Sequence, residues 1–290
     1  VAPPTDVLSR YRQAGAASAA AGGAAASHEP KSDPTAAAFF DVDNTVMRGA
    51  SMFHFAVGLA QRNFFNGREL FGFGMKQLKF VLSGSEDLED VASATEAALS
   101  FVEGRRVDEL NRLAEEIFDS SMIDKLIPGT LDLAQGHLDA GQQVWLVTAT
   151  PIELASIIAR RLGLTGALGT VSEIRNGVYT GHLDGPPLHG LAKAEAIRAL
   201  AAAEGLDLSR CSAYSDSSND IPMLSAVGHP VAVNPDPTLR AHARDNDWKI
   251  RDFRRREQFK RVALPALSGA GGIAVGLAIG YASARSRRPA

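Results

Sequence analysis

The sequence predicts an α/β fold, a doubly wound parallel sheet with an inserted helical cap, and three observations predict it. Three short apolar runs each end abruptly in a polar loop and lead into a helical stretch, the repeat of a parallel sheet that presents chemistry at its strand ends. About a hundred residues separate the first run from the second, far more than a plain crossover uses, and much of that stretch is apolar at helical spacing. The chain has 290 residues, 45% hydrophobic and 22% charged, which is enough to bury a sizeable core.

Residues 1–35 are Ala, Gly, Ser and Pro with scattered charges and few large apolar side chains, so they are expected to be a disordered arm. They lack the basic start and continuous apolar core of a signal peptide. Order is expected from the apolar run 36–40, which ends in Asp41-Val-Asp-Asn-Thr45. The catalytic core is assigned to residues 36–50 and 126–252, and the helical cap to residues 51–125. Val91, Ala94, Ala98, Leu99 and Val102, then Leu110, Leu113, Ala114 and Ile117, mark its apolar helix faces. The phenylalanines between Phe53 and Phe80 supply its packing.

The second strand, residues 143–147, runs into Thr148-Ala-Thr-Pro151 and a helix over 152–162. Residues 171–175 and 178–182 around Asn176-Gly177 read as a hairpin with a tight turn. Lys193 opens a helix. The third strand, 211–214, meets Ser215-Asp-Ser-Ser-Asn-Asp220 and a short helix over 221–226, and a last strand, 230–233, closes with Asn234-Pro235.

Charge and cysteine content exclude other classes. A single cysteine, Cys211, cannot build a disulfide framework and points to a reducing compartment. The net charge of −3 is unevenly placed: residues 251–261 carry +4 and Arg285, Arg287 and Arg288 add +3, which leaves −10 on the rest. An acidic body does not suit nucleic acid. Residues 262–284 are 23 uncharged residues between these basic flanks, long enough for a membrane helix, with Gly272, Gly276 and Gly280 on one face. Its moderate hydrophobicity and Pro265 speak for a soluble or peripheral tail instead. The expectation is a cytoplasmic catalytic body with a C-terminal tail, residues 253–290, that associates with the membrane.

Asp41 and Asp43 lie two apart at a strand end, and paired carboxylates need a proton or a cation between them. A hard divalent ion, most economically Mg2+, meets that need through oxygen ligands, and Asp216 and Asp220 extend the acidic cluster. Singly, each feature has a plain alternative. Asp-x-Asp is common in turns, Thr148 could cap the helix before Pro151, and Lys193 could be a solvated helix residue.

Taken in order, Asp41-Val-Asp-Asn-Thr45, Thr148, Lys193 and Asp216-Ser-Ser-Asn-Asp220 resemble the motifs of the haloacid-dehalogenase-like phosphatase superfamily over residues 36–252. Within it the chain is similar to the branch with a helical cap between the first two motifs, which contains the phosphoserine phosphatases. The dehalogenases of that superfamily lack the second aspartate, so Asp43 favours phosphate ester chemistry.

The resemblance implies a Rossmann-like core and a role for each residue. Asp41 would be the nucleophile that forms an aspartyl-phosphate, and Asp43 the general acid and then base. The Asp41 and Asp216 carboxylates and the Asp43 main-chain carbonyl would hold Mg2+. Thr148, with Ala149 beside it, and Asn219 would bind the small phosphorylated substrate. Lys193 would neutralise the nucleophile and the transferring group, with Asp220 orienting the lysine or backing the metal.

Two substrate positions depart from the phosphoserine phosphatase pattern. The glutamate usual nine residues after the nucleophile is Ala50, and residues 80–104 contain no Arg or Lys until Arg105 to match the usual cap arginine. Arg48, Lys76, Lys79 and Arg105 are the substitutes available. The implied function is a Mg2+-dependent phosphomonoesterase of phosphoserine phosphatase type. The alternatives are a phosphatase for another small or membrane-linked phosphomonoester, or a phosphotransferase. A non-enzymatic membrane-associated scaffold has no need of Asp41, Asp43, Lys193 and Asp216 together.

Overall fold

A computed structural model describes residues 5–26, 32–62, 64 and 102–253. Along the chain run α1 (Thr5–Ala25), β1 (Ala37–Phe40), α2 (Ser51–Gln61), α3 (Val107–Ile117), α4 (Pro128–Asp139), β2 (Gln143–Pro151), α5 (Ile152–Arg161) and β3 (Gly166–Thr170). They are followed by β4 (Ser172–Arg175), β5 (Val178–Leu183), α6 (Leu191–Glu204), β6 (Ser212–Ser215), α7 (Ile221–Leu224), β7 (His229–Val233), α8 (Pro237–Asp245) and β8 (Lys249–Arg251).

Six strands pair in parallel in the order β3-β2-β1-β6-β7-β8. The doubly wound sheet expected from the sequence is therefore present, with β1 at its centre. All four residues of β1 are buried, as a strand covered on both faces requires. Phe39 packs with Trp145, Val147 and Leu168, and with Ala192, Ala196 and Ile197 of α6. Phe40, pointing the other way, stacks on Tyr214 with ring centroids 4.2 Å apart and meets His137 of α4 edge-on. Each such large apolar side chain contributes about 1.5–3 kcal/mol through burial.

The N-terminal arm is corrected by the structure. A helix, α1, occupies Thr5–Ala25 and packs along α6 and β3, with Ala14, Ser18 and Ala19 buried. Alanine is the best helix former, and burial here comes from close backbone approach rather than from large side chains. A Cβ on Gly15 would lie 2.7 Å from the Ala196 nitrogen, and one on Gly22 would lie 2.3 Å from the Ala167 carbonyl oxygen. Asp33 continues the order toward β1: its N–H donates to the Gly141 carbonyl at 3.0 Å and its carboxylate accepts from Gln142 at 3.1 Å.

Of the expected cap, residues 51–62, 64 and 102–125 are described. Phe55 and Leu59 of α2 pack with Leu110, Ala114 and Ile117, the predicted apolar face of α3. Gly58 admits this approach, since a Cβ there would meet Ile117 at 2.4 Å. The expected hairpin is β4–β5, with Asn176 and Gly177 both at positive φ (53° and 75°), the signature of a tight primed turn. It pairs with the chain entering α3 through the Arg106–Val178 bridge. The predicted helical positions Val91, Ala94, Ala98 and Leu99 lie outside the described residues, as do Lys76 and Lys79.

The chain divides into a unit of residues 1–251 and a second of residues 252–290, described only at Asp252 and Phe253. Among the described residues no helix is long and apolar enough to cross a membrane. The run at 262–284 lies outside them.

Candidate active site

The site forms at the C-terminal ends of β1 and β6, beside the C-terminal part of β2. Phe40 is in register with Leu146 on one side and Tyr214 on the other, so Asp41 and Asp216 follow directly on β1 and β6, while Thr148 lies two residues beyond Leu146, still within β2. The Asp41 N–H still donates to the Tyr214 carbonyl at 2.9 Å, which fixes its backbone as an extension of the strand. Beyond it the chain turns back sharply. Asn44 takes the left-handed conformation (φ 59°), and the N–H groups of Val46 and Met47 both donate to the Val42 carbonyl at 2.9 Å.

Lys193, in the first turn of α6, is buried and donates to Asp41 Oδ1 at 2.6 Å and to Asp220 Oδ2 at 2.7 Å. Asp220 also accepts from the Ser215 hydroxyl at 2.8 Å. This excludes the solvated-lysine reading: a buried ammonium is tolerated here because two carboxylates pair with it. Burial works against its charge, and Asp220 and Asp41 outweigh burial, so its pKa is raised and it stays protonated.

The carboxylates outnumber the ammonium. Burial pushes the Asp41 carboxyl up, the nearby Asp220, Asp43 and Asp216 push it further, and Lys193 opposes them. Asp216 is pushed up to about 6, by burial first and then by Asp220, although the Thr45 hydroxyl donates to it at 3.3 Å. Burial also raises Asp43, whose Oδ1 accepts from the Ser51 N–H at 2.8 Å. A lysine held charged at 2.6 Å favours the ionised form of Asp41, while burial first, and repulsion among Asp41, Asp216 and Asp220 after it, press these acids upward, a pressure that a cation would relieve.

Thr148 does not cap α5, whose N-cap position is Pro151. It is buried, and its Oγ1 accepts from the Thr150 N–H at 3.1 Å, which leaves its own hydroxyl hydrogen to be donated. The Ala149 carbonyl is turned away to accept from Thr170 at 2.6 Å. Asn219 lies in a single 3₁₀ turn with its N–H on the Ser217 hydroxyl at 3.2 Å. Of the expected residues, Asp41, Lys193 and Asp220 are in direct contact, Asp43 and Asp216 lie close enough to act on the Asp41 charge, and Thr148 and Asn219 make separate hydrogen bonds to Thr150 and Ser217. Among the described residues no three His, Cys, Asp or Glu side chains are grouped to hold a metal ion.

Supporting residues escaped the sequence reading. Asp236 donates its N–H to the Asp216 carbonyl at 2.8 Å, while its carboxylate accepts from Leu239 at 2.7 Å, capping α8, and from the Ser218 N–H. An aspartate before Pro237 is a legible helix cap, but its second use is visible only in space. Ser51 and Thr150 join through their hydroxyls at 2.7 Å.

A strand-end aspartate pair, a buried lysine between two carboxylates and a cap inserted after the first strand define a class of hydrolase. The family model for haloacid dehalogenase-like hydrolases matches residues 38–225, and the chain belongs to that family. Within it the chain is a phosphatase. It is 56% identical over 253 residues, 86% of this chain and 82% of the relative, to the phosphoserine phosphatase SerB1 of Mycobacterium tuberculosis (strain ATCC 25618 / H37Rv). A crystal structure of a protein of unknown function from Bordetella pertussis Tohama I aligns with a TM-score of 0.68 at 31% identity, covering 75% of this chain and 98% of that one. A phospho-aspartyl intermediate analogue of phosphoserine phosphatase shares the fold, with a TM-score of 0.51 at 18% identity over 80% of this chain and 99% of that one.

Proposed function

We propose that the protein is a Mg2+-dependent phosphomonoester hydrolase that works through an aspartyl-phosphate on Asp41, with O-phosphoserine as its substrate. The observation that carries the reading is the buried Lys193 between Asp41 and Asp220, with a second carboxyl, Asp43, two residues beyond the nucleophile. The Asp41 carboxylate attacks phosphorus, and the bond from phosphorus to the alcohol oxygen breaks. Asp43 gives its proton to that oxygen. Asp43 then takes a proton from water as the water attacks phosphorus and releases the Asp41 carboxylate. Lys193 and the Thr148 hydroxyl hold the phosphoryl oxygens.

The donor set suits Mg2+, since it consists of hard oxygens under mutual repulsion. Asp41, Asp216 and the Asp43 main-chain carbonyl would hold the ion, two side chains and one carbonyl, so no third acidic side chain is required. When bound, it supplies charge neutralisation at the phosphoryl group.

A second reading, another phosphomonoester as substrate, has its own support. Ala50 is exposed at the start of α2, and the Arg105 guanidinium lies over the Phe64 ring at 4.5 Å. The test is a panel of phosphate esters with and without chelator, run on the wild type and on Asp41→Asn. Preferred turnover of phosphoserine that is lost in chelator and in Asp41→Asn supports the first reading. A different preferred ester supports the second, transfer to an added alcohol marks a phosphotransferase, and a folded Asp41→Asn that keeps more than a few per cent of activity removes the covalent mechanism.

A further inference from the structure

Ser51 is the first residue of α2, where the chain enters the cap, and it is completely buried. A helix start leaves its first N–H groups without intrahelical partners, and Ala50, at the N-cap position, has no side chain to accept one. The Ser51 N–H instead donates to Asp43 Oδ1 at 2.8 Å, so the cap helix uses the Asp43 carboxyl as its cap. On its other side the Ser51 hydroxyl shares a 2.7 Å hydrogen bond with Thr150 Oγ1, and the Thr150 N–H donates to Thr148 Oγ1 at 3.1 Å. A continuous chain of hydrogen bonds thus runs from the Thr148 hydroxyl within β2, through the first turn of the cap, to the carboxyl two residues beyond Asp41.

We infer that Ser51 is a positioning residue for proton transfer: its bond to Thr150 seats the first turn of the cap on the C-terminal part of β2, and that seating aims the Asp43 carboxyl at the leaving oxygen. The inference rests on the proposed hydrolase reading and adds to it that the proton donor is oriented by the cap. The physical reason is that Asp43, unlike Asp41, is not held by a strand of the sheet: its backbone bridges only to Met47 within its own turn, which leaves the carboxyl to be oriented from elsewhere. Its turn continues past the sheet, and the hydrogen bond that orients its side chain comes from α2. The Thr150 hydroxyl, also buried, anchors that helix end to the core.

Leaving-group dependence separates aiming from mere structure. A positioned general acid contributes roughly 10²–10⁴-fold to a rate when the leaving oxygen needs a proton, and little when it does not. Ser51→Ala keeps the N–H and removes the hydroxyl. It is expected to lower kcat/KM for an alkyl phosphate by roughly 10–100-fold, part of that acid contribution, and for p-nitrophenyl phosphate by less than about threefold. Thr150→Val should reproduce this pattern, and the double variant should be no worse than either single one, because both remove the same bond. Ser51→Thr, which restores a hydroxyl, should recover most of the alkyl ester activity. Equal losses on both esters, no loss on either, or additive losses would overturn the inference. A wild type inactive on both esters would instead remove the hydrolase reading. Melting temperatures of all variants identify any that fail to fold, and Thr150→Val then tests the bond from the core side.

Discussion

Glu153, in the first turn of α5, offers a perturbation whose size follows from the structure. Its Oε2 is buried and has no hydrogen-bond partner among the described residues, and compensation for the carboxyl comes from its own main-chain N–H. Burial pushes the group from 4.5 up to about 7. Because the folded state prefers the neutral acid, the stability tied to this group is fully present below about pH 4.5 and is lost as pH rises through about 7. At about 1.4 kcal/mol per pH unit, the gap amounts to about 3 kcal/mol once the carboxylate is forced to ionise in place. Glu153→Gln keeps the shape and cannot ionise. At pH 8.5 it should therefore be more stable than wild type by about 3 kcal/mol, or roughly 6–12 °C in Tm for a body of this size, and at pH 5 by less than about 1 kcal/mol. Paired thermal melts of the two proteins at both pH values cancel every titration they share. An equal difference at pH 5 and pH 8.5, or a destabilised Gln variant at pH 8.5, would refute the assignment of an ionisation cost to Glu153.

Three other perturbations probe the site and the arm. Lys193→Met strands the buried carboxylates of Asp41 and Asp220, so urea denaturation should show a loss of about 3–5 kcal/mol and turnover should vanish. Gly22→Ala places a Cβ 2.3 Å from the Ala167 carbonyl, so α1 must shift off β3, and calorimetry should register about 1–3 kcal/mol of destabilisation where a solvent-facing Ala would stabilise. Asp236→Ala removes the α8 cap together with the Ser218 tie, so the protein should lose about 1–2 kcal/mol and its titration with Mg2+ should move to higher concentration. Unchanged Mg2+ dependence would show that Asp236 serves the helix alone.

The parts of the molecule that were legible in the sequence are those where side-chain chemistry and backbone role coincide. Phe39 and Phe40 read as a strand because both faces of β1 are covered, and the carboxylates that follow read as a site because nothing apolar continues the run. β3 was missed for the opposite reason. Its Gly166 lies where a Cβ would meet the Trp145 ring at 2.6 Å, and Gly169 where one would meet the Ile152 Cα at 2.7 Å. Crowding by neighbours keeps this strand small, and a strand of small residues carries no periodic signal. The helix α1 hid similarly: alanine and glycine suit close backbone packing, yet by composition they resemble a solvated arm. Ser51 gave no signal because its tie to Asp43 runs through a main-chain N–H, which every residue except proline possesses.

The two carboxyl groups that divide the chemistry in the proposed mechanism are held by different parts of the molecule. Asp41 is fixed by the sheet, through its N–H on Tyr214, and by Lys193 from α6, both belonging to the core. Asp43 is fixed by Ser51, the first residue of the cap. A nucleophile must keep its distance to phosphorus whatever alcohol is attached, so a rigid central strand is the appropriate support. A proton donor must meet the leaving oxygen, whose position varies with the alcohol, so a support outside the central sheet suits it. On the inference drawn from Ser51, placing the donor under the control of α2 makes protonation depend on how the first turn of the cap is seated. Substrate choice can then change through the cap's own residues, with Ala50 where phosphoserine enzymes carry a glutamate, while Asp41, Lys193 and Asp220 stay as they are.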